Sequence, residues 1–158
     1  MAWVVYNNFK NKLFTQEDAI DWDDNSTTTI KVGLVTSAYT PNIDSDAFWG
    51  TPDGSEVSGS GYSAGGVAVT GRTTNIVSAS DLVQLIACST SIDGSAAMPT
   101  WSQDASGFSN AHIAVLYKSS GSPATSPLIA YASLGGSKGN VDGDLTLSFA
   151  SNIILTLA

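Results

Sequence analysis

Residues 28–36, Thr-Thr-Ile-Lys-Val-Gly-Leu-Val-Thr, do most to limit what this chain can become. Ile30, Val32 and Leu34 fall on one side of an extended backbone, and Lys31, Gly33 and Val35 on the other. Successive side chains of a strand point to opposite faces, so the run reads as a half-buried strand. Similar short runs recur at 67–70, 74–79, 82–88, 111–118, 128–134, 145–149 and 153–157. A shorter candidate, 19–22, is ended by the turn-forming Asp23-Asp24-Asn25-Ser26. Roughly eight to ten short strands without interleaved helices predict an all-β fold. The expected form is an antiparallel β-sandwich or jelly-roll-like single domain with long loops.

Two stretches depart from this pattern. At the start, Tyr6, Phe9 and Leu13 stand at helical spacing beside Trp3 and Val5, which predicts a short N-terminal arm or helix. Residues 1–27 are assigned to that arm or helix and a first hairpin, and 28–158 to the β body. Residues 37–66 are irregular, punctuated by Pro41, Pro52 and many Gly and Ser, with Phe48 and Trp49 expected to tack them to the core. A second loop, 89–109, carries Met98, Trp101 and Phe108. Residues 135–143 read as a third. Ala150-Ser151-Asn152 is expected to join the last two strands as a hairpin.

Composition narrows the function. Charged residues are only 13% of the chain, and Ser and Thr supply about a quarter of it. The net charge of -8 repels phosphate backbones and anionic lipid, which argues against nucleic-acid and membrane partners. A single cysteine, Cys88, forms no internal disulfide and reads as a small buried hydrophobe. The N-terminal residues lack the marks of a secretory signal, and no run is apolar enough to span a bilayer, so synthesis in the cytoplasm is expected.

Several residues are of types that can carry chemistry. Gly61-Tyr62-Ser63-Ala64-Gly65 matches G-x-S-x-G, with Asp81, Asp93, Asp104 and then His112 following in hydrolase order. The motif needs a strand before the serine and a helix after it. Here glycine-rich turns precede it and strand-like Val67-Ala68-Val69 follows, so a turn is the better reading. The overlapping G-x-G-x-x-A from Gly59 to Ala64 lacks a βαβ setting for a dinucleotide. One His and one Cys are too few for zinc. The pairs and triplets Asp21/Asp23/Asp24, Asp44/Asp46 and Asp142/Asp144 read as solvated turn carboxylates rather than calcium ligands. Trp22, Trp49 and Trp101 read as core or loop anchors rather than a sugar-stacking platform. No catalytic, cofactor or metal residue is therefore assigned.

Several phrases carry a family resemblance. They are Tyr6-Asn7-Asn8-Phe9-Lys10, the run Thr29-Ile30-Lys31-Val32-Gly33-Leu34-Val35-Thr36-Ser37-Ala38-Tyr39-Thr40-Pro41-Asn42, and Glu56-Val57-Ser58-Gly59-Ser60-Gly61-Tyr62-Ser63-Ala64-Gly65-Gly66. Ala114-Val115-Leu116-Tyr117-Lys118 and Ser126-Pro127-Leu128-Ile129-Ala130-Tyr131 complete them. Together they resemble small structural proteins of tailed bacteriophages, over most of the chain and in the same order, departing at a longer 89–109 loop. The resemblance implies a virion component rather than an enzyme. Its favoured form is a head decoration, or cement, protein. Such a protein would sit as a trimer on the capsid exterior, with the major capsid protein as partner. Trp3, Val4, Val5, Tyr6 and Phe9 are the candidate interface, docking into a neighbour or the capsid, or covering the chain's own core. The alternative is a tail-fibre or baseplate domain that binds a host receptor or glycan.

Overall fold

The computed structural model describes residues 2–15, 20–77, 82–86, 98–148 and 153–157. The chain is an all-β single domain with one short α-helix. Its centre is a five-stranded antiparallel sheet of β1 (Val4–Val5), β2 (Ile30–Val35), β3 (Val67–Ala68), β7 (Ala111–Lys118) and β8 (Leu128–Lys138), in the order β1-β8-β7-β2-β3. β4 (Thr73–Val77), β5 (Leu82–Ile86) and β10 (Ile153–Leu157) make a second sheet, ordered β10-β5-β4. β6 (Thr100–Trp101) and β9 (Leu145–Thr146) form a two-stranded ribbon. Helix α1 spans Asn7–Thr15.

The alternation in β2 sorts its side chains as the sequence predicts. Ile30, Val32 and Leu34 join Ala114, Leu116 and Ala130 on one face. Trp22, Val57, Val69, Trp101, Phe108 and Leu147 cover that face. The opposite face is not solvated, which corrects the half-buried reading of β2. Val35, Val115 and Tyr117 are buried there under Tyr39 and Trp49 from the long loop. The reason is Gly33. A Cβ on Gly33 would collide with the Trp49 ring, so the missing side chain is the socket into which Trp49 packs. Trp49 then stacks on Tyr117 with ring centroids 4.5 Å apart and planes 8° from parallel.

Other expectations need correction. Residues 20–22 form no strand; Trp22 is instead a buried loop anchor beside Arg72. Among the described residues, 1–27 contain no hairpin. β1 pairs with the distant β8 through Val4↔Tyr131 and Val5↔Ala130, and α1 follows. The expected 145–157 hairpin is also not seen among the described residues, where β9 pairs with β6 and β10 with β5. β8 continues to Lys138 through residues read as loop, carried by Gly135 and Gly136 at positive φ. The turn at 150–152, Cys88 and the 89–97 part of the second loop lie outside the described residues.

Candidate functional site

Three of the five candidate interface residues belong to the chain's own core. The strand period puts Val5 on one sheet face and Tyr6 on the other, and both are buried, as is Phe9 one helical turn later. Trp3 packs partly buried against the same core. Val4, on the edge strand, stays 39% exposed. Sequence reasoning missed Phe14 on α1. It is 87% exposed and is the only exposed aromatic among the described residues. Leu13, expected on the inner side by its spacing, is 39% exposed beside it.

The G-x-S-x-G motif is a turn. Gly66 donates its N–H to the Ser63 carbonyl at 2.8 Å, and Gly61, Gly65 and Gly66 all have positive φ. β3 follows directly, without a helix. His112, on β7, pairs through Nε2 with Ser137 Oγ at 2.8 Å rather than with Ser63. Asp104 accepts from Ser60 Oγ and the Ser106 N–H, and Asp81 and Asp93 lie outside the described residues. The aspartate groups also have local partners. Asp24 accepts from the N–H groups of Ser26 and Thr27 and from both hydroxyls, and these bonds hold its carboxyl down at about 2. Buried Asp46 accepts from Tyr39 Oη at 2.8 Å and from the Asn42 N–H at 2.9 Å. Asp144 accepts from the Gln103 N–H at 2.7 Å. No group of three or more metal-ligating side chains occurs among the described residues. Trp22, Trp49 and Trp101 are all buried, so none presents a face for stacking a ligand.

A candidate site forms where the long loops meet the second sheet face. It is an open cleft of about 270 Å³ beside the Trp49–Tyr117 stack. Lys31 and Tyr117 face each other across β2 and β7 at its floor. Gly65 is held at both ends. Its N–H donates to Glu56 Oε1 at 2.7 Å, and its carbonyl accepts from Tyr117 Oη at 2.7 Å. Tyr62 Oη donates to the same Glu56 oxygen at 2.6 Å while accepting the Leu34 N–H at 2.9 Å. Only glycine suits position 65, since φ is +81° and a Cβ would sit 3.0 Å from Tyr117 Oη.

Comparison with protein-family models, curated proteins and solved structures finds no match.

The carboxyl group of Glu56 titrates above its ordinary value, chiefly because burial disfavours the charged form. The Tyr62 and Gly65 hydrogen bonds pull the other way, Asp53 adds to the rise, and Lys31 opposes it. A carboxyl whose folded pKa is raised binds its proton more tightly when folded. Its contribution to stability is therefore full at low pH and is lost as pH rises through the folded pKa. Glu56→Gln keeps the acceptor for Tyr62 and Gly65 and removes the buried charge. The variant is expected to melt above the parent at about pH 8, with the gap closing towards about pH 4. Thermal melts across that range test this; a gap that does not change with pH contradicts it.

Proposed function

We propose that this chain is a bacteriophage capsid decoration protein that binds the outside of the head and stabilises the shell. The sequence resemblance supports this reading. The observation that carries it is the exposed apolar side chains of the N-terminal segment: Phe14 is 87% exposed next to Leu13 on α1, and Val4 is exposed on the edge strand β1. Exposed aromatic side chains of this kind are frequent interface anchors. The remaining buried polar groups tie loops together. Arg72, Asn140, Asp46 and Ser126 all spend their hydrogen bonds inside the chain.

Binding would work by mass action. A protein that binds the assembled shell and not its separated subunits favours the assembled state. A trimer with the major capsid protein as its partner is part of the proposal. The anchor set differs from Trp3, Val4, Val5, Tyr6 and Phe9: Val5, Tyr6 and Phe9 hold the arm to its own body, and Val4, Leu13 and Phe14 face outwards. The tail-fibre alternative finds no stacking platform at Trp22, Trp49 or Trp101, which are all buried.

Purified heads lacking the protein provide the test. Added protein should bind them saturably and raise their melting temperature. Phe14→Ser should weaken that binding by at least about tenfold with little change in the protein's own melt, since truncating an anchor costs on the order of 2 kcal/mol. Recovery of the chain only in tails overturns the proposal.

A further inference from the structure

The cleft beside Trp49 differs from the buried polar clusters around Arg72, Asn140 and Asp46, because several of its polar groups are not used up. The buried Arg72, Asn140, Asp46 and Tyr39 are each bonded to their own chain. In the cleft, the Lys31 ammonium and the Asp53 carboxylate form no hydrogen bond or ion pair with a described residue. The Ser119 and Ser122 hydroxyls are likewise uncommitted among the described residues. Glu56 commits only Oε1 and leaves Oε2 open.

We propose that this cleft binds a single neutral, hydroxylated six-membered ring, one sugar unit of a glycan. The chemistry of the wall selects that class. A carboxylate accepts two neighbouring hydroxyls, an ammonium donates to ring or hydroxyl oxygens, and serine hydroxyls do either. Such a mixture of donors and acceptors matches vicinal hydroxyls better than an anion, which Asp53 and Glu56 would repel. It also matches them better than a cation, which Lys31 would repel. Pro123 and Ala64 supply apolar contact at the rim. Ligand pockets start at about 300 Å³, so a cleft of about 270 Å³ takes one ring rather than a chain of sugars. The floor is built before any ligand arrives. Tyr62, Glu56, Gly65 and Tyr117 fix one another through four hydrogen bonds of 2.6–2.9 Å, counting the Leu34 N–H. A preformed site loses little ordering entropy on binding. The inference does not depend on the capsid reading, since a glycan-binding cleft fits a head protein or a tail protein equally well.

The test is ligand-detected NMR of the full chain with methyl pyranosides of glucose, galactose, mannose and N-acetylglucosamine, and with methylguanidinium as a cation control. At least one pyranoside should bind saturably, in the millimolar range expected of so small a ligand. Asp53→Asn and Lys31→Met should each weaken it by about tenfold, the loss of one well-formed polar contact to a charged group. Their thermal melts should match the parent. Ser122→Ala provides a milder third variant if either of these unfolds. Absence of saturable binding by every pyranoside overturns the proposal, as does binding by methylguanidinium alone. Pyranoside binding that all three variants leave unchanged places the ligand elsewhere and also overturns it.

Discussion

Asn140→Ala is expected to lower stability by roughly 3–5 kcal/mol, among the largest effects of any single polar substitution in the chain. Asn140 is completely buried. Its Nδ2 donates to the Ser60 carbonyl at 3.2 Å and to the Ser102 carbonyl at 2.8 Å, and its Oδ1 accepts the Phe108 N–H at 2.9 Å. One amide therefore joins the 59–66 turn, the 102–108 loop and the start of the 140–144 turn. Its own backbone adds two bonds, donating to the Phe108 carbonyl and accepting from the Asp104 N–H. Alanine would leave the Phe108 N–H and the Ser60 and Ser102 carbonyls without these partners. Each orphaned group costs about 1–3 kcal/mol. For a domain of this size the melting temperature should fall by about 10 °C. Asn140→Asp should fare no better, because its carboxylate would face the Ser60 and Ser102 carbonyls without a donor. The packing around the amide leaves no slack: a Cβ on Gly107 would strike Asn140 Oδ1, and one on Gly139 would strike the Phe108 carbonyl. Denaturant melts decide the matter, and a loss below about 1 kcal/mol for the alanine variant refutes the stapling role.

What the sequence reveals follows from what local pattern can encode. β2 and β7 are legible because alternation and β-branched residues specify a strand wherever it pairs. β4 and β5 are legible as strands for the same reason. The 145–157 region is not, since both of its strands are apolar and extended but choose partners far away in sequence. Chain proximity predicts a hairpin, and long-range packing overrules it. The end of β8 is hidden because Gly135-Gly136 has the composition of a turn while serving as an irregularity in a strand. The two-sided burial of β2 is hidden because it depends on Trp49 arriving from a loop. The candidate cleft is the least legible feature. Lys31, Glu56, Gly65 and Tyr117 come from four separate segments, and no spacing rule joins them. The helical period at Tyr6, Phe9 and Leu13 locates α1 but not its outer face. Phe14, one residue out of phase, carries the apolar surface that the period cannot show.

Arg72 holds the other large effect. Arg72→Met is expected to cost roughly 3–5 kcal/mol, and Arg72→Lys to recover less than half of it. The guanidinium is 5% exposed and donates to four backbone carbonyls: Nε to Trp22 at 3.1 Å, Nη1 to Val69 at 2.7 Å, and Nη2 to Asp24 at 2.5 Å and Thr28 at 2.6 Å. It also lies over the Trp22 ring, 5.9 Å from the centroid. Burial lowers its pKa, and the nearby charges of Asp24, Asp21 and Asp23 work against that shift. Asn25 completes the clamp, with its side-chain amide bonded to both the N–H and the carbonyl of Arg72. The 22–28 loop is thus held to the start of β4 by a planar fork. Methionine fills much of the volume but satisfies none of the carbonyls. Lysine restores the charge, yet its three donors on one nitrogen cannot reach four carbonyls spread around a plane. Raising the salt concentration should leave the difference between parent and Arg72→Lys largely intact, because buried interactions are screened far less than surface ones. If Arg72→Lys melts within about 1 kcal/mol of the parent, the shape of the fork is irrelevant and charge alone holds the loop.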